Sequence, residues 1–205
     1  MDSFGRLALG LAAVVSSMVV LFAVPAGYFV AATFSATSVM VAAAYALGAL
    51  RVPHGAKPFA IAVGVASAVA LYLVFYAGAV AIDLFHPLGI TSASESSIYS
   101  LISSPSNPVY LQAGVLLFDS AGYESFFRGV LQKRLTPRLG VGSAPAVALF
   151  DAALHLVTLN PVWVGATFVT DLVWGLTYHY GRGTQASFAS HFLWDLAIFI
   201  VRPVM

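Results

Sequence analysis

From Leu7 to Leu50 the chain contains no charged residue. A helix crosses about 30 Å of hydrocarbon with roughly 20 apolar residues, so this run is long enough for two crossings. In such a solvent only helices and closed barrels satisfy every backbone donor and acceptor. The rest of the chain has the same character: 60% of its 205 residues are hydrophobic and 8% are charged. Soluble domains carry about 25% charged residues. The expected fold is therefore all-α, a polytopic membrane protein of about seven transmembrane helices in one domain, residues 1–205.

The break between the first two spans is expected near Ser35 to Ser38, with Pro25 kinking the first helix or ending it early. The apolar run continues past any plausible cleavage point, which disfavours a signal peptide. A third span is expected over about Pro58 to Leu84, followed by a Ser/Pro-rich loop, "HPLGITSASESSIYSLISSPSNP". The fourth covers about Val109 to Lys133. The fifth starts at "GSAP", where Ser143 is a candidate cap and Pro145 suits the first turn. It ends near Asn160–Pro161. The sixth runs to about His179 and the seventh from about Thr184 to Val201.

With the N-terminus cytoplasmic, this count puts Arg6, Arg51, Lys57, Lys133, Arg134, Arg138 and Arg182 on the cytoplasmic side and only Arg202 on the other, as the positive-inside rule requires. No targeting signal is visible, which favours a prokaryotic plasma membrane. The chain has no cysteine and a formal charge of +1, which leaves no disulfide or thiolate chemistry and no electrostatic case for nucleic acid.

Ionisable residues are unevenly spread. Residues 1–107 read as three packing spans and the Ser-rich loop, with Asp83 at an edge and His54 and His86 at span ends. Residues 108–205 carry Asp119, Glu124, Arg128, Asp151, His155, Asp171, His191 and Asp195 within their spans. A charge at the bilayer centre costs about 2.5–3.5 kcal/mol on insertion scales, so such groups line a bundle interior or a cavity. Asp151 with His155, and His191 with Asp195, are spaced four apart and share helix faces. At about 1.5 Å per residue, Glu124, His155 and His191 lie roughly 12–16 Å from the cytoplasmic ends of their spans. A carboxylate and an imidazole at one depth can activate water, and a second imidazole can stabilise an oxyanion. The same groups can instead bind zinc and acidify its water.

Three segments, "YESFFRG", "LFDAALHLVTLNP" and "ASHFLWDLAIF", resemble the motifs of the type II CAAX prenyl protease and bacteriocin-processing (Abi) family of intramembrane proteases. The family pattern is Glu-Glu-x-x-x-Arg, Phe-x-x-x-His and His-x-x-x-Asn/Asp on successive motif helices. The resemblance covers about residues 108 to 200. It implies catalytic roles for Glu124, His155, His191 and Asp195, with Glu124 and His155 activating water and His191 with Asp195 stabilising the oxyanion. Arg128, Asp151, Tyr123 and Asp119 are supporting residues. If a divalent metal such as zinc is used, Glu124, His155 and His191 are the implied ligands; a metal-free glutamate mechanism is the other option. The implied partner is a membrane-associated or lipidated protein or peptide.

Two positions depart from the pattern. Tyr123 stands where the first glutamate is expected, and Asp151, with Phe150 one residue early, stands four before His155. The base is then Glu124, Asp151 or a Tyr123–Asp119 pair. A catalytically silent relative acting as a peptide-binding, immunity or scaffold protein is the alternative. A proton-coupled carrier is a third class, disfavoured because no repeated halves are visible.

Overall fold

A computed structural model describes residues 3–50, 57–81, 98–99 and 108–203. Arg51, His54, Asp83, His86 and most of the Ser/Pro-rich loop lie outside the described residues. The described secondary structure is helical throughout. Helix α1 (Ser3–Ala23) passes through a short 3₁₀ turn (Ala26–Tyr28) into α2 (Phe29–Ala46), and α3 is Pro58–Ala81. Helix α4 (Val109–Phe126) widens into a π-helical segment (Phe127–Gln132) and continues as α5 (Lys133–Leu139). After the turn Gly140–Gly142 come α6 (Ser143–Leu154) with a terminal 3₁₀ turn (His155–Thr158), α7 (Pro161–Tyr180), and α8 (Thr184–Leu196) with a π-helical end (Ala197–Val201).

Among the described residues, four runs are long and apolar enough to cross a membrane: Phe4–Ala23, Phe29–Ala46, Pro58–Ala81 and Val109–Thr158. The last has 50 residues, about 75 Å if straight, so it far exceeds one crossing and turns at Gly140–Gly142. Burial is inverted relative to a soluble domain. Phe4 is 76% exposed and Val80 72%, whereas Glu124, Arg128, Asp151 and Asp171 are at most 1% exposed. That pattern suits a lipid surround.

The first break falls at Pro25, not at Ser35–Ser38. Proline has no N–H to continue the helix, and Tyr28 N–H closes on the Pro25 carbonyl at 2.9 Å. The Ser35 and Ser38 hydroxyls bond back to the Ala31 and Phe34 carbonyls, both at 2.8 Å, which lets serine stay inside a helix. Ser143 does not cap α6; its hydroxyl donates to the Gly140 carbonyl at 2.7 Å. The side-chain cap in this region belongs to Asn160, whose Oδ1 accepts from Val162 and Trp163 N–H, with Pro161 following it.

Helix α1 packs on α2, α2 on α4, α4 on α8, and α8 on α3 and α7, while α6 packs on α7. Three of these approaches are close enough to require glycine, among them α6 on α7, where a Cβ on Gly175 would lie 2.8 Å from Ala144 Cβ. A Cβ on Gly122 would lie 2.4 Å from Thr37 Cγ2, and one on Gly64 2.5 Å from the Ala186 carbonyl oxygen. Small residues at such crossings let helix backbones approach, the main source of association where lipid removes the hydrophobic drive.

Candidate functional site

Helix α4 presents Asp119, Tyr123 and Glu124 inward, and the π-helical segment that follows adds Arg128 and Gln132. Glu124 Oε1 lies 3.0 Å from His191 Nδ1 on α8, and Oε2 faces Arg128 Nε at 3.5 Å. Oε1 is thus hydrogen-bonded, while Oε2 has the ionic contact with Arg128 and no hydrogen bond. Arg128 donates through Nη2 to Asp171 Oδ1 on α7 and through Nη1 to Gln132 Oε1 at 3.2 Å. Gln132 Nε2 in turn donates to the Gly175 carbonyl at 2.8 Å. The spacing is a ladder: Arg128 and Gln132, four apart on one segment, meet Asp171 and Gly175, four apart on the next. Arg128, placed beside Glu124 from sequence alone, has its shortest ion pair with Asp171.

The Tyr123 hydroxyl donates to Asp151 Oδ2 and lies 3.1 Å from Asp171 Oδ1. The pairing of Tyr123 with Asp119 is therefore corrected. Asp119 instead accepts from Thr37 Oγ1 of α2 at 2.5 Å, because α2 packs directly on that stretch of α4. His155, at the end of α6, has Nδ1 3.0 Å from the Asp151 carbonyl and 3.8 Å from Asp151 Oδ2. The backbone bond assigns the hydrogen to Nδ1 in the neutral ring and leaves Nε2 as the acceptor. His191 Nε2 lies 3.4 Å from Asp195 Oδ2, which also accepts from Ser120 Oγ at 3.3 Å.

Aromatic rings fix the two imidazoles. Trp174 stacks on His191 at 3.5 Å and 13°, and Tyr123 meets the same ring edge-on at 5.2 Å. Phe22 of α1 lies 4.5 Å from the His155 ring and Trp163 lies 5.9 Å from it. Trp163 also packs against Phe22 and Phe29.

These groups border one cavity of about 220 Å³. Asp119, Tyr123, Asp151, His155, His191 and Asp195 all line it; Glu124, Arg128 and Asp171 are not among its lining residues. The polar residues chosen from the sequence are brought together, and a hydrogen-bonded or ionic chain runs from His155 through Asp151, Tyr123, Asp171, Arg128 and Glu124 to His191 and Asp195. Asp171, Gln132, Ser120, Thr37 and Trp174 were not in the sequence-derived site. Asp171 was legible as a buried charge and Gln132 by its i+4 spacing from Arg128, while Trp174 is indistinguishable in sequence from a packing residue.

The metal set Glu124, His155 and His191 does not assemble. Among the described residues no group of three or more His, Asp or Glu side chains is arranged to hold a metal ion. The reason lies at His191 and Glu124: His191 turns each ring nitrogen to a carboxylate, and Glu124 is not among the residues that line the cavity.

No curated protein and no solved structure matches the chain. A family model does match, over the stretch that carries the polar chain from Tyr123 to Asp195. Residues 105–197 match the Rce1-like model, described as Type II CAAX prenyl endopeptidase Rce1-like, so the C-terminal half of this membrane protein resembles a protease family, as its three motifs imply.

Proposed function

We propose that this protein is an intramembrane endopeptidase that hydrolyses a peptide bond near the cytoplasmic leaflet, in the manner of CAAX-type C-terminal processing. The observation that carries the reading is the pair of histidines, from different helices and each beside a carboxylate, on the wall of one cavity. Asp151 and His155 activate water. With its Nδ1 hydrogen held by the Asp151 carbonyl, His155 takes the water proton at Nε2 while the oxygen attacks the scissile carbonyl. His191 faces a carboxylate at each nitrogen, an arrangement that suits an N–H at both, and it donates to the oxyanion from the Nε2 side. When the C–N bond breaks, the departing amine takes the proton held by His155.

Glu124 is a positioning residue in this scheme. Its oxygens hold His191 and Arg128, and the cavity-lining carboxylate beside His155 is Asp151. Zinc remains the family's other chemistry, and no step here depends on it. The substrate is a membrane-associated or lipidated protein or peptide. The protein sits in the bilayer of a prokaryotic plasma membrane with its N-terminus cytoplasmic.

One observation favours a second reading, a silent relative that binds peptides as an immunity or scaffold protein. Tyr123 stands where the family's first glutamate is expected, and its hydroxyl donates to Asp151 Oδ2, the carboxylate oxygen that faces His155. Purified protein incubated with a peptide library, including prenylated C-terminal peptides, and read by mass spectrometry separates the two. The protease reading expects cleavage that falls at least about 100-fold in His155→Ala and His191→Ala. It also expects a larger loss in Asp151→Asn than in Glu124→Gln; the reverse order returns the base role to Glu124. Folded wild-type protein that cuts nothing leaves the silent reading.

A further inference from the structure

One end of the bundle gathers cations without counter-charges. The acidic side chains among the described residues are Asp119, Glu124, Asp151, Asp171 and Asp195, and all of them lie at the interior site. The exposed charges are therefore of one sign. Lys133 and Arg134 are exposed on α5, Arg182 in the α7–α8 turn, and Lys57 one residue before α3. None of these four has an acidic partner among the described residues. A few contacts bring them from separate elements to one patch. The Arg134 guanidinium donates to the Leu47 carbonyl just past α2, 3.5 Å away, and to the Val130 carbonyl at 3.3 Å. A Cβ on Gly129, four residues before Lys133, would lie 3.4 Å from Ala49 Cβ and 3.9 Å from Thr184 Cγ2. Thr184 opens α8 two residues after Arg182. Lys57 N–H donates to Gln185 Oε1 at 3.1 Å, and Arg182 Cζ lies 5.7 Å over the Phe59 ring.

The surroundings say what such a patch takes. Lys57 directly precedes the apolar span Pro58–Ala81, so the patch lies at the level of lipid headgroups. Phe59, under the Arg182 guanidinium, is 59% exposed, and Val65, Val69 and Leu73 continue the exposed apolar face of α3. A guanidinium forks onto phosphate oxygens and an ammonium adds a point charge. Clusters of four or more Lys and Arg at a membrane surface recognise anionic headgroups. We infer that Lys57, Lys133, Arg134 and Arg182 form a binding site for an anionic phospholipid, its phosphate held between α5 and the α7–α8 turn and an acyl chain lying along the outer face of α3. None of the four lines the cavity, and the inference does not rest on the proteolytic reading.

Delipidated full-length protein in detergent, titrated with dioleoylphosphatidylglycerol, dioleoylphosphatidylcholine or inorganic phosphate, tests the site by thermal unfolding and native mass spectrometry. The expected result is a saturable rise in the thermal midpoint with phosphatidylglycerol, with that lipid retained on the protein, and no such rise with the other two. A surface cation is worth about fivefold in affinity for an anionic lipid. Lys133→Gln and Arg182→Gln are each expected to weaken the apparent affinity by that factor, and the pair together about 25-fold. Arg202→Gln, at the opposite end of the bundle, leaves it unchanged. Lipid-free thermal midpoints equal to wild type separate lost binding from a damaged fold, and Lys57→Gln supplies a further variant on another element. Equal stabilisation by phosphatidylcholine, or an affinity unmoved in the double variant, overturns the inference. The same rise with inorganic phosphate alone assigns the patch to a soluble anion and refutes the lipid.

Discussion

Arg128 is fully buried and, among the described residues, is the Arg or Lys that forms ion pairs: Glu124 on its own helical run and Asp171 on α7. Its removal strands two carboxylates in a low-dielectric interior, and breaking a buried pair in this way costs about 3–5 kcal/mol. Arg128→Met is expected to destabilise by that order, seen as a lowered thermal midpoint in detergent. Replacing both partners by apolar residues avoids the stranded charge, so Arg128→Met combined with Asp171→Leu is expected to recover part of the loss. A single variant as stable as wild type would show that the pair contributes nothing to the fold. The single substitution was a readable risk in the sequence. The identity of the second carboxylate was not, because no spacing links positions 128 and 171 on different helices.

The helices meet through small residues, and this is where their stability is most sensitive. A methyl at Gly122 would collide with Thr37 and push apart the α2–α4 crossing that carries the Thr37–Asp119 bond. Gly122→Ala is expected to cost about 1–3 kcal/mol, as overpacking does. Gly78 on α3 has no atom within 4 Å of a Cβ position, so Gly78→Ala is expected to be neutral or slightly stabilising. Thermal unfolding of the two variants side by side checks the contrast. The π-helical segment Phe127–Gln132 is also an element-scale feature, of the kind that recurs at functional sites. The periodicity of "FFRGVLQ" does not reveal it, since a π turn depends on what the neighbouring helices accept.

For the molecule as a whole, the inverted burial is the controlling fact: large apolar side chains such as Phe4 and Val80 face outward, while Glu124, Arg128, Asp151, Asp171, His155, His191 and Asp195 are buried. The absence of cysteine makes orientation measurable, because any introduced thiol is unique. Arg138→Cys and Arg182→Cys are expected to react with a membrane-impermeant maleimide only from the cytoplasmic side, and Leu159→Cys only from the other. Leu159 is 91% exposed in the turn between α6 and α7, so its replacement disturbs little. The opposite labelling would invert the topology and move the site to the other leaflet.

The sequence by itself determined the solvent, the helical class and the neighbourhood of the site. Long uncharged runs leave a chain no alternative to spanning helices, and charges inside such runs must converge on a shielded interior. It also placed most helix ends to within a few residues, because Pro58, Asn160–Pro161 and Gly183 act locally. The tertiary structure decided which groups meet. It gave Tyr123 to Asp151 and Asp171, gave Asp119 to Thr37, and set Glu124 behind His191. It also brought Phe22 from α1 against His155. These pairings depend on how helices rotate and cross, which small residues and shape complementarity set through contacts distant in sequence. No one-dimensional spacing encodes that rotation.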